Sequence, residues 1–82
     1  MNKKEIISTL QSKIAEDIIN IPERIIKIDE PLISSGLIDS FSIVDLAMLI
    51  EEVFKVRIDD TELNSDVFDS LDQLADLILS RL

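Results

Sequence analysis

The chain has 82 residues, 46% of them apolar, with 17 acidic residues against 8 basic ones, a single glycine, and neither cysteine nor histidine. That length suits one small domain, taken here as residues 1–82, burying only about 60% of its unfolded surface. Without Cys or His there is no disulfide, thiol nucleophile, Ser–His pair or zinc cluster of the usual kind, and the chain cannot supply a catalyst from those groups.

The formal charge of −9 is unevenly spread: residues 1–36 carry six acids and five bases, 37–69 nine and two, and 70–82 two and one. An anionic middle repels nucleic acid and steers basic partners. No stretch approaches the ~18 apolar residues of a membrane span. The opening MNKKEIISTL has lysines but no continuous apolar run behind them, unlike a signal peptide. A cytoplasmic monomer is the expectation.

Ile7, Leu10, Ile14 and Ile18 recur at helical spacing with Ile6 and Ala15 beside them, predicting a first helix from about Asn2 to Ile19 that Pro22 stops. Asn20 to Ile38 then reads as a long connection. Its apolar residues Ile25, Ile26, Ile28, Leu32 and Leu37 imply pinning to the core, since a loop this long in a small domain is packed or functional.

A second helix is expected from about Ser40 to Phe54, with Ile43, Leu46, Ala47, Ile50 and Phe54 as its core stripe. Another face gathers Phe41, Val44, Asp45, Met48 and Glu52, with Glu51 alongside. KVRIDDTELNSDVF reads as a turn and one short helix. A last helix follows from about Leu71 to Arg81, burying Leu71, Leu74, Ile78 and Leu77. The sum is an all-α, small four-helix bundle: three main helices, one short one, and a long loop between the first two.

Asp-Ser pairs stand at two helix starts, in GLIDSFSIVDL and in VFDSLDQLADL. Ser70-Leu71-Asp72-Gln73 has the form of a capping box, which accounts fully for Ser70. Ile43 stands three residues beyond Ser40, so no such box can close there. Asp39 is the better N-cap, leaving the Ser40 hydroxyl to face outward. Gly36 lies four residues earlier, where it can turn the chain and allow close approach. An anion on Ser40 would lie near the amides of a helix N-terminus, a favourable place for phosphate. Lacking a base, Ser40 would be modified by another protein rather than act as a nucleophile alone.

These residues carry a resemblance. GLIDSFSIVDLAMLIEEVF is similar to the attachment-site helix of acyl carrier proteins and their peptidyl carrier relatives. The matching residues are Gly36, Asp39, Ser40, Phe41, Val44, Asp45, Met48, Glu51, Glu52 and Phe54. The first helix, the long loop, Ile58-Asp59-Asp60 and the FDSLDQLADLI segment also fall where that family's four-helix fold places them.

The resemblance implies a carrier rather than an enzyme. Ser40, flanked by Asp39, would receive a 4′-phosphopantetheine arm from coenzyme A through a magnesium-dependent phosphopantetheinyl transferase. The arm's thiol would hold acyl or aminoacyl groups as thioesters, in fatty-acid or specialised polyketide or nonribosomal-type biosynthesis. A loading ligase or adenylating enzyme, and synthases or transferases with basic docking patches, would be the other partners. Asp45, Glu51 and Glu52 would meet their Lys/Arg groups, with Phe41, Val44 and Met48 adding apolar contact. Phe41 stands where leucine is usual in fatty-acid carriers. Val53 interrupts the usual acidic run, and Lys55 and Arg57 place positive charge where many relatives have none.

Two alternatives belong to other classes. A helical adaptor without a prosthetic group would use the same outer face and leave Ser40 idle. Calcium binding by DDTELNSDVFD fits poorly, because a loop starting at Asp59 has Thr61, Leu63 and Asn64 at its third, fifth and sixth positions.

Overall fold

Asn2 starts the first helix as a reciprocal cap. Its side-chain oxygen accepts the Glu5 amide at 2.9 Å, and Glu5 accepts the Asn2 amide. The computed structural model in which this is seen describes residues 2–82, apart from the side chain of Asp60. Helix α1 spans Lys3–Lys13 and continues without a break into a π-helical turn, Ile14–Ile18. The widened turn is marked by the Ile19 amide donating to the Ile14 carbonyl at 2.9 Å. Asn20, at φ +64, then ends the helix in a left-handed cap. The stop therefore precedes Pro22, and asparagine tolerates the conformation because its short polar side chain strains it little.

Helix α2 is Ser42–Phe54, a single 3-10 turn occupies Asp60–Glu62, and helix α3 is Leu71–Leu79. No strand occurs among the described residues. The architecture is the expected all-helical bundle, α1 lying against α3 while the π turn and the 3-10 turn lie against α2. Both later helices are shorter at one end than the apolar pattern suggested, α2 beginning at Ser42 and α3 ending at Leu79.

One core joins the three helices. Ile6, Leu10 and Ile14 of the first helix, Leu46 and Ile50 of α2, and Leu71, Leu74 and Ile78 of α3 are fully buried around Phe68. Ile7 and Ile18 only flank this core, whereas Ala15 is inside it. Leu49, outside the expected stripe of α2, is also buried, and Ala47 is half-buried. Among the described residues no polar side chain is buried.

The long connection is held differently from its expectation. Ile26, Leu32 and Ile38 are buried and Leu37 is half-buried, but Ile25 and Ile28 are exposed. Two polar clamps do the remaining work. Gln11 of α1 accepts the Ile26 amide and donates to the Arg24 carbonyl at 2.8 Å. Near α3, one oxygen of Asp69 accepts the amides of Leu32, Ile33 and Ser34 at 3.2, 2.7 and 2.9 Å, and the other accepts the Ser34 hydroxyl. The Asp69 backbone carbonyl takes the Leu32 amide as well. Loop amides need partners as helix amides do, and a carboxylate that accepts three of them fixes the chain locally. The Ser34 hydroxyl, followed by the amides, holds the Asp69 carboxyl below the usual carboxylate range.

The chain ends are tied down too. Lys3 bridges Asp72 and Asp76 of α3 at 2.9 Å each, which raises its ammonium above the ordinary lysine range. Arg81 pairs with Glu62 and donates to the Arg57 carbonyl at 3.2 Å.

Candidate functional site

The turn before α2 is built from the loop that Asp69 holds. The Ile38 amide donates to the Leu32 carbonyl at 2.9 Å and the Gly36 amide to the Ile33 carbonyl at 3.0 Å, closing residues 32–38 on themselves. Gly36 sits at φ +82, and a β-carbon there would meet nothing within 4 Å. Glycine is thus needed for the backbone angle and not, within this chain, for close approach. Ile38, buried in the core, anchors the end of the turn.

Asp39 acts as the N-terminal acceptor of α2. One side-chain oxygen accepts the amides of Phe41 at 3.0 Å and Ser42 at 2.9 Å. Ser40 lies between, in the turn that enters the helix, exposed to solvent. Among the described residues its hydroxyl has no hydrogen-bond partner. Asp39 already takes two of the amides that the sequence reading left open to an anion at Ser40. The helix dipole still places partial positive charge there.

The second Asp-Ser pair reverses these roles. Ser70 caps α3, its hydroxyl oxygen accepting the Gln73 amide at 3.2 Å, while Asp69 clamps the distant loop. Gln73 does reach back, but to the Asp69 amide, at 2.7 Å, rather than to that of Ser70. In one pair the acid caps and the serine is free; in the other the serine caps and the acid is occupied.

From Ser40 the outer face of α2 runs as anticipated. Phe41 is 88% exposed, Met48 64% and Val44 48%. Asp45, Glu51 and Glu52 are exposed beside them. Residues at 41, 44, 45, 48 and 52 lie along one side of a helix, so the apolar groups are interleaved with carboxylates.

The segment weighed for calcium has other uses for its oxygens. Glu62 is engaged by Arg81 and accepts the Asp59 amide, which lowers its carboxyl below the usual range, the Arg81 bond contributing most. Asn64 accepts the Asp66 amide and donates to the Thr61 carbonyl. Among the described residues no three carboxylates converge as metal ligands. Gln11 and Asp69 are the positioning residues that sequence reasoning missed. Their loop partners lie 13 to 37 residues away, so no local spacing announces them.

An exposed serine at a helix start thus stands next to a flank of mixed apolar and acidic groups. The family model for the phosphopantetheine attachment site matches residues 12–78, and the chain belongs to that family. Comparison with curated proteins finds no match. The prosthetic group is 4′-phosphopantetheine, and the protein's role is that of a carrier bearing it. Such a carrier works with a phosphopantetheinyl transferase and with biosynthetic enzymes. No helix among the described residues is long and apolar enough to cross a membrane.

Proposed function

We propose that Ser40 is the attachment residue. The observation that carries this is the contrast between the two serines: the Ser40 hydroxyl is exposed and unengaged, whereas that of Ser70 caps a helix. In the transfer, the Ser40 Oγ attacks the phosphorus of coenzyme A that bears the pantetheine. A new P–O bond forms, the pyrophosphate bond breaks, and adenosine 3′,5′-bisphosphate leaves. The hydroxyl proton goes to a base of the transferase. When attached, the arm supplies a terminal thiol that carries acyl or aminoacyl groups as thioesters.

Asp39 shapes the turn that presents Ser40, its carboxylate engaging the amides of Phe41 and Ser42. Phe41, Val44 and Met48, with Asp45, Glu51 and Glu52, form the docking face for enzymes with basic patches. Contacts of this size and charge bind weakly and release quickly, as a shuttle requires. Phe41 favours a carrier of specialised or amino-acid-activating metabolism, loaded by an adenylating ligase. Residues 1–82 act as one domain, because Lys3 and Arg81, both outside the matched 12–78, are tied into it by ion pairs.

Incubation with coenzyme A, magnesium and a broad-specificity phosphopantetheinyl transferase tests the assignment by intact mass. One arm is expected on the native chain and on Ser70→Ala, and none on Ser40→Ala. Loading of Ser40→Ala would place the site elsewhere.

A further inference from the structure

The far end of α2 carries a feature that a uniformly acidic docking face does not explain. Residues 37–69 contain only two bases, Lys55 and Arg57. Both are exposed, and both line an open groove of about 600 Å³ with Met48, Glu51, Glu52 and Val56. Acids from the last turn of the helix and the cations that follow it therefore border one depression, lined also by the exposed Met48 and the buried Val56.

Lys55 is also held in place by the backbone. It sits at φ +60, ψ +31, with its amide donating to the Glu51 carbonyl at 3.0 Å. Glycine is the residue that takes this left-handed cap most readily, so a lysine stands where a smaller residue would be less strained. Among the described residues neither Lys55 nor Arg57 forms an ion pair.

We propose that this groove is a selectivity site for protein partners whose docking patch is of mixed charge. Such a patch has an apolar side chain that seats against the exposed Met48, Lys or Arg facing Glu51 and Glu52, and Asp or Glu facing Lys55 and Arg57. A patch of cations alone gains against the two acids but is repelled by the two bases that border the same groove. Discrimination of this kind needs the repulsive element as much as the attractive one. The proposal deepens the carrier reading and rests on it, because the groove shares Met48, Glu51 and Glu52 with the proposed docking face.

The test uses the unmodified chain, so that its result is independent of arm attachment. Two helical peptides with the same central leucine are titrated at low salt, with binding followed by backbone amide shifts in residues 48–57. One has lysines on one flank of the leucine and glutamates on the other; the second has lysines on both. Each exposed ion pair changes a binding constant by no more than about fivefold. The native chain is expected to prefer the mixed peptide by up to on the order of tenfold, the preference fading as salt rises. Lys55→Glu/Arg57→Glu is expected to prefer the all-lysine peptide instead. Arg57→Glu alone leaves the left-handed position untouched and should narrow the native preference even if the double variant folds poorly. Equal binding of the two peptides, no binding of either, or an unchanged order in the variants would overturn the proposal. Failure of Ser40 to accept an arm in a parallel sample would strike the carrier reading and leave the peptide order to stand or fall separately.

Discussion

Replacing each of the two serines by alanine separates a structural hydroxyl from a functional one. In Ser70→Ala the α3 amide of Gln73 loses its acceptor at 3.2 Å. The helix it opens buries Leu71, Leu74, Ala75 and Ile78. Loss of an N-cap of this kind costs about 1 kcal/mol. The bond is long and Ser70 is only half-buried, so water can partly replace it, and Gln73 still satisfies the Asp69 amide. A value of about 0.5–1 kcal/mol follows, which for a domain of this size lowers Tm by roughly 2–8 °C. Ser40→Ala removes no bond from an exposed turn and should alter stability by less than about 0.5 kcal/mol. Thermal denaturation followed by circular dichroism gives both values, and intact mass after loading gives the functional outcome on the same samples. A Ser40→Ala variant that melts as early as Ser70→Ala would show that the Ser40 hydroxyl has a structural duty, and the reasoning from its freedom would be wrong.

Asp69 sets a pH dependence. Its folded carboxyl is held below its ordinary value of about 4, so the folded state binds fewer protons than the unfolded one as that value is approached. The stability it contributes is present above about pH 4 and is lost as pH falls through the lowered folded value. Tm measured from pH 6 to pH 2.5 should fall more steeply for the native chain than for Asp69→Asn, and parallel curves would refute the clamp's role. Reversing charge at Asp45 and Glu52, both exposed on α2, should raise the transferase KM several-fold at low salt with Tm unchanged; a KM insensitive to both mutation and salt would remove the docking face. Lys55→Gly relieves a left-handed residue worth about 1–2 kcal/mol of strain. Offset by glycine's greater unfolded freedom, it should stabilise by about 0.5–1 kcal/mol in urea titration, and a lower midpoint would contradict the strain. Phe68→Ala empties the centre of the core, where Phe68 is fully buried, and should cost about 3–5 kcal/mol, enough to leave much of the chain unfolded at 37 °C by near-ultraviolet and far-ultraviolet circular dichroism.

The α2 face shows how far a helical period reaches. Spacing alone separated Ile43, Leu46 and Ile50 from Phe41, Val44 and Met48, because each residue advances by a fixed angle about the axis, and the structure buries the first set and exposes the second. Leu49 escaped this reading: it is buried although it lies outside the stripe that the period of α2 picks out. The connection from Asn20 to Ile38 escaped it more fully. It has no repeating geometry, so Ile25 and Ile28 could not be told from Ile26 and Leu32 by position, yet they face solvent while the other two are buried.

What the residues determined by themselves was local: which stretches coil, which faces are apolar, where the charge lies, and that Ser40 lacks the capping partner that Ser70 has. Those properties depend on neighbours three or four positions away, and a linear string contains them. Tertiary structure decided the rest. It assigned Asp69 to the loop rather than to its own helix, and gave Gln11 the amide of Ile26. Those pairings and exposures depend on where distant segments come to rest, and that position is fixed by packing around Phe68 and not by any spacing along the chain.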